Sequence, residues 1–204
     1  MDILAIGAHP DDIEFGCGGT LCKLKEQGNN IYILVATDGE NWNGKNRKVR
    51  IEEQEIACDR LGSEKVFFLK LKDGEIYMDS NTINKIENLI KDYNIDLVFS
   101  NYKEDVHQDH MRLTEIVKIA SRNCKNILFY ETLTTINFNP NYFVDISKIF
   151  DKKLAILKSF NSQIEKYSKR NVDLLTICEI KNKLYGYRYN YKYCEGFVVG
   201  RLTF

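Results

Sequence analysis

The chain has 204 residues, a length that predicts one domain around one core with no need for a disulfide or a structural metal. Lys plus Arg and Asp plus Glu both number 29, so no net field is available to collect a nucleic-acid backbone or an anionic membrane. The six cysteines form no CxxC pair and no apolar run approaches ~18 residues, which argues against a zinc knuckle, a dithiol redox site and a membrane span, and predicts reduced thiols in a soluble, cytoplasmic protein.

Ile3 to Gly7 is a short apolar run that ends in a loop, and Gly18-Gly19-Thr20 opens a helical stretch that stops at Gly28-Asn29. Ile31 to Thr37 is a continuous β-branched run, as in a strand covered on both faces. The basic run Lys45, Arg47, Lys48, Arg50 reads as a solvated segment, followed by a helix from Arg50 to Leu61 with Gly62 as its stop. Val66 to Leu71 is a third strand, Asp79 caps a helix carrying Ile83, Ile86, Leu89 and Ile90 on one face, and Asp96 to Ser100 is a fourth strand. A helix from about Met111 to Arg122 and a strand at Ile127 to Glu131 continue the alternation. Helical pattern resumes at Phe150, and Cys194 to Phe204 reads as a last strand. The alternating tyrosines Tyr185, Tyr187, Tyr189, Tyr191 and Tyr193 predict an extended segment with one aromatic face. The fold class is α/β and Rossmann-like: a mostly parallel sheet with helices on both faces, spanning residues 1–204 as a single domain and binding ligands beyond the carboxyl ends of its strands.

Directly after the first strand, Ala8-His9-Pro10-Asp11-Asp12-Ile13-Glu14 sets an imidazole beside three carboxylates, whose mutual repulsion a divalent cation or a shared proton would relieve. His107-Gln108-Asp109-His110 follows the fourth strand in the same way, and the three histidines of the chain all lie in these two loops. Catalytic zinc commonly keeps three N or O ligands and an open fourth position. One imidazole and one carboxylate from the first loop with one imidazole from the second meet that count. Spacing leaves open which of Asp11 and Asp12, and which of His107 and His110, takes the metal.

These two clusters resemble the signature of the LmbE-like, or PIG-L, family of zinc N-deacetylases. Thr37-Asp38-Gly39-Glu40, Arg50 ahead of Glu53, and Cys194-Glu195-Gly196-Phe197 match weaker motifs of the same family, so the resemblance runs along nearly the whole chain. It implies His9, Asp12 and His110 as ligands of Zn2+, with Fe2+ an alternative, Asp11 as general base and His107 facing the oxyanion. Asp109 would keep the His107 imidazole charged, and Arg50 would contact a hydroxyl or anion of the substrate. Gln108, and Asn101-Tyr102-Lys103-Glu104 ahead of Asp105, depart from the family's prolines. The implied reaction is hydrolysis of the N-acetyl group of an N-acetylglucosamine-containing sugar or conjugate by a homo-oligomer. Two alternatives remain at this level: a metal-dependent amidase on another N-acyl substrate, and a non-catalytic sugar- or nucleotide-binding module. The second is opposed by the absence of GxGxxG.

Overall fold

The computed structural model describes residues 1–39 and 47–203; Glu40, Lys45 and Phe204 of the segments above lie outside them. Among the described residues seven strands form one sheet: β1 (Asp2–Gly7), β2 (Asn30–Thr37), β3 (Lys65–Leu71), β4 (Leu97–Asn101), β5 (Asn126–Tyr130), β6 (Tyr142–Asp145) and β7 (Cys194–Arg201). Their order is β3-β2-β1-β4-β5-β7-β6. The first five run parallel, and β7 pairs antiparallel with both β5 and β6. The chain reverses its direction of winding between β1 and β4, which opens a crevice at their carboxyl ends.

The helices are α1 (Asp12–Glu26), α2 (Arg47–Leu61), α3 (Ser80–Asp92), α4 (Gln108–Ala120), α5 (Phe150–Leu157), α6 (Asn161–Ser168) and α7 (Leu174–Arg188). They cover both faces of the sheet, because neighbouring residues of a strand point to opposite sides. Ile3 and Ala5 of β1 share a core with α1, α2, α5 and α7, while Leu4 and Ile6 share one with α3 and α4. Burial on both sides is why β1 and β2 read as unbroken apolar runs rather than alternating ones.

Four expectations need correction. α1 begins at Asp12, ahead of the expected opening at Gly18. Its glycines mark close packing, not a start: a Cβ on Gly16 would lie 2.1 Å from the ring of Tyr130. Tyr185 and Tyr187 lie in α7, which runs to Arg188, so the tyrosine series is helical over its first half instead of extended. β6 went unseen, being a four-residue strand at the edge of the sheet. Arg50, read as part of a solvated basic run, is 5% exposed, whereas Lys48 is exposed. The six cysteines are all buried and unbridged, and no helix among the described residues is long and apolar enough to cross a membrane.

Candidate metal centre and active site

β1 and β4 deliver the two histidine loops to the same crevice. The first loop turns at Asp11, whose φ of 94° is rare for a residue with a side chain, and Asp12 then opens α1. Such a conformation persists only where its surroundings hold it, and Arg50 does so here. Its guanidinium donates to the carbonyls of Pro10 and Gly39 and lies 3.6 Å from the Asp11 carboxylate. Gly39 has a φ of 63°, where a side chain is strained, and a Cβ there would displace the guanidinium, which it would meet at 2.3 Å. On the second loop, His107 caps α4, its Nδ1 accepting from the N–H of Asp109 at 3.3 Å.

Three sequence-predicted atoms converge. His9 Nδ1 lies 3.2 Å from His110 Nε2, His110 Nε2 lies 3.3 Å from Asp12 Oδ2, and His9 Nδ1 lies 3.6 Å from Asp12 Oδ2. Ligand atoms around a tetrahedral ion at about 2.0–2.2 Å stand about 3.3–3.6 Å apart, so the trio fits a divalent cation. The opposite nitrogen of each imidazole is occupied by carboxylate. His110 Nδ1 bonds Asp105 at 3.0 Å, and His9 Nε2 bonds Asp73 at 3.0 Å and Asp109 at 3.3 Å. With those nitrogens turned to carboxylates, His9 Nδ1 and His110 Nε2 face each other beside Asp12, an arrangement that favours positive charge between them, an added proton or a cation.

The titration behaviour has the same cause. Burial pushes His110 down, yet Asp12 and Asp105 outweigh it and hold its pKa up to about 9. Burial would raise Asp12, but His110 and His9 hold it well below the carboxylate range. Asp11 lacks such partners: burial pushes it up to about 6, with Arg50 pulling against burial and Asp12 adding to it. Two other trios also bring ligand atoms within 4.8 Å, His9 with His107 and His110, and His9 with Asp73 and Asp109. The first sets His107 beside the same point. In the second, Asp73 and Asp109 already share the His9 Nε2 proton, and Asp109 also accepts from the N–H groups of Gly74 and Ile76.

The Asp109 carboxylate hydrogen-bonds His9, while its backbone N–H donates to His107 Nδ1. Burial, then the charges of His9 and His110, lower the His107 pKa, against a raising contribution from Asp109. With Nδ1 accepting a backbone N–H, a proton on the His107 ring sits on Nε2, where it can donate to a ligand. Sequence reasoning missed Asp73, a single aspartate after β3 with no motif around it, and gave no role to Asp105. It also missed the wall opposite the histidines. A cavity of about 300 Å³ is bounded there by Gln163, Lys166, Tyr167 and Arg170, whose spacing of three, four and seven residues is one helical stripe of α6 and the turn after it. Glu53 of α2 ties α6 in place by accepting from Ser162 N at 2.7 Å and Ser162 Oγ at 2.6 Å.

The PIG-L family, described as GlcNAc-PI de-N-acetylase, matches residues 4–121. The chain is 37% identical over 169 residues to the uncharacterized deacetylase YaiS of Escherichia coli, covering 78% of this chain and 90% of that protein. It is 26% identical to the diacetylchitobiose deacetylase of Thermococcus kodakarensis, over 92% of this chain and 80% of that one. Among solved structures, the 4-carboxy-2-hydroxymuconate hydratase of Pseudomonas putida superposes with a TM-score of 0.86 at 19% identity, covering 100% of this chain and 98% of that one, so the fold by itself does not dictate the reaction. The matched span holds both histidine loops, and the chain belongs to the PIG-L family of de-N-acetylases, which are hydrolytic enzymes.

Proposed function

We propose that the chain, as one catalytic domain over residues 1–204, is a divalent-metal-dependent hydrolase that removes the N-acetyl group from an N-acetylglucosamine-containing conjugate. The observation that carries this reading is the trio His9 Nδ1, His110 Nε2 and Asp12 Oδ2, in which each imidazole is backed by carboxylate. Zinc or ferrous iron held there would supply Lewis acidity toward the acetyl carbonyl and toward water, and this ligand set does not select between the two metals by affinity alone.

The remaining steps belong to the chain's own groups. Asp11 lies beside the ligand Asp12 and lines the same cavity, and its carboxylate takes a proton from water as the oxygen adds to the acetyl carbon. His107 Nε2–H donates to the oxyanion that forms. A proton is then returned to the nitrogen, the C–N bond breaks, and acetate leaves with the free amine on the sugar. Arg50, expected at the substrate, acts in this scheme mainly by holding the strained Asp11 turn. Location in the cytoplasm and assembly into a homo-oligomer belong to the same proposal.

The α6 stripe narrows the substrate. Lys166 and Arg170 face the cavity together with Arg50, and this cationic wall suits a conjugate with an anionic substituent next to the sugar. N-acetylglucosamine 1-phosphate is expected to show a KM about 10-fold below that of methyl N-acetylglucosaminide, the size of one charge-assisted hydrogen bond. In Lys166→Glu/Arg170→Glu that preference should vanish or reverse. Equal KM values in the parent would remove the anionic substituent from the proposal. Absence of acetate release from any N-acetylated sugar would remove the deacetylase reading and favour hydration chemistry of the kind the fold also carries.

A further inference from the structure

An ion pair formed far along the chain lies against the backbone of the helix that presents Asp12. Lys153 of α5 and Glu195 of β7 are wholly buried and paired with each other. Glu195 accepts from the N–H of Gly19 at 2.9 Å and of Thr20 at 2.6 Å, and Lys153 Nζ donates to the carbonyl of Phe15 at 2.8 Å. Phe15 and Gly19 stand four residues apart, the spacing of the acceptor and donor of one rung of a regular helical ladder, and here Glu195 meets the donor and Lys153 the acceptor. The pair therefore grips both ends of that rung from outside the helix, a mid-helix insertion of the sort that sets a helix's direction. Gly19 admits it, since a Cβ would lie 3.1 Å from Glu195 Oε1 and 2.8 Å from Ile146.

The gripped rung belongs to the active site. Phe15 lines the cavity, one turn after Asp11 and Asp12, and its N–H bonds the carbonyl of Asp11 at 2.9 Å. Lys181 of α7 also reaches toward the Phe15 carbonyl at 3.5 Å and lies over its ring at 4.3 Å. A buried pair costs desolvation that an apolar pair would avoid, so its presence here calls for a role beyond stability. We propose that Lys153 and Glu195 are positioning residues: by fixing the Phe15–Gly19 rung they set the tilt of the first turn of α1, and with it the aim of Asp11, Asp12 and Phe15. Both residues lie outside the 4–121 span matched by the family, and Glu195 falls in the Cys194-Glu195-Gly196-Phe197 segment that resembles one of its weaker motifs. The inference rests on the metal site proposed above only for one of its readouts.

The test compares the parent with Glu195→Gln, Glu195→Asp and Lys153→Met/Glu195→Gln. Glu195→Gln strands a buried ammonium and should lower Tm by about 10 °C. The double variant carries no stranded charge and should recover to within about 5 °C of the parent, as neutral replacement of buried pairs commonly does. Glu195→Asp keeps the charge but withdraws it by one methylene, and so remains available if the double variant fails to fold. In whichever of these two is folded, zinc affinity measured against a chromophoric chelator should fall about 10-fold, the loss expected when a site's support is disturbed. Amide exchange of Phe15 to Thr20 should also quicken about 10-fold. Parent-like zinc affinity and exchange in a folded variant would make the pair a stabiliser only and overturn the proposal. If the parent itself takes up no zinc, the metal reading fails separately, and the exchange rates alone decide for or against the brace.

Discussion

Asp11→Asn is expected to lower the rate of acetate release by about 10²- to 10⁴-fold, the usual contribution of a positioned general base, while bound metal stays at the parent level. The separation follows from geometry. Asp12 lies in the trio with His9 and His110, whereas Asp11 turns to the other side of the loop toward Arg50. Asparagine tolerates the left-handed conformation at φ 94° and has the same shape, so the loop should keep its course. What disappears is the carboxylate, which burial keeps more basic than an ordinary aspartate. Acetate release and elemental analysis on the same preparation check both halves. An Asp11→Asn protein with parent activity would take the base role away from Asp11.

The second large effect concerns the ligands and the groups behind them. His110→Ala is expected to abolish stable metal binding and acetate release together. Asp105→Asn should be milder, costing about 10- to 100-fold in metal affinity, because it weakens the hydrogen bond that orients His110 without removing a ligand. The gradation is the informative part. Asp105 also accepts from the N–H of His107 and from the hydroxyls of Thr132 and Thr135, so it joins both histidines of the second loop to the segment after β5. Metal titrations monitored by competition with a chelator would report both variants. Equal and small losses in the two would mean that His110 is not a ligand.

The outline of the fold was legible because parallel strands buried on two faces must be apolar throughout, and because helix and strand alternate from Ile3 to Glu131. The two loops were legible because every histidine of the chain sits beside aspartate directly after a strand. Other features depend on distances that sequence does not encode. Asp73 reaches His9 from a loop 64 residues away, and Lys153 meets Glu195 across 42. The start of α1 was misplaced because glycine reads locally as a break, whereas Gly16 and Gly19 are there to let Tyr130 and Glu195 come close. Nor does sequence show that the Asp109 carboxylate turns inward to His9 and to the N–H groups of Gly74 and Ile76, with His107 packed against two other imidazoles. Arg50 shows the same limit: a residue in a basic run is buried and clamps the turn at Asp11.

The most direct test of the account is a paired measurement on protein purified without chelator: metal content by elemental analysis, and acetate release from N-acetylglucosamine conjugates before and after chelation. The account predicts about one zinc or iron per chain, a single ion being what three such ligands hold, with activity lost to the chelator and restored by the metal. Acetate release that persists in fully metal-free protein, or a protein that takes up no metal and releases no acetate from any N-acetylated sugar, would contradict it.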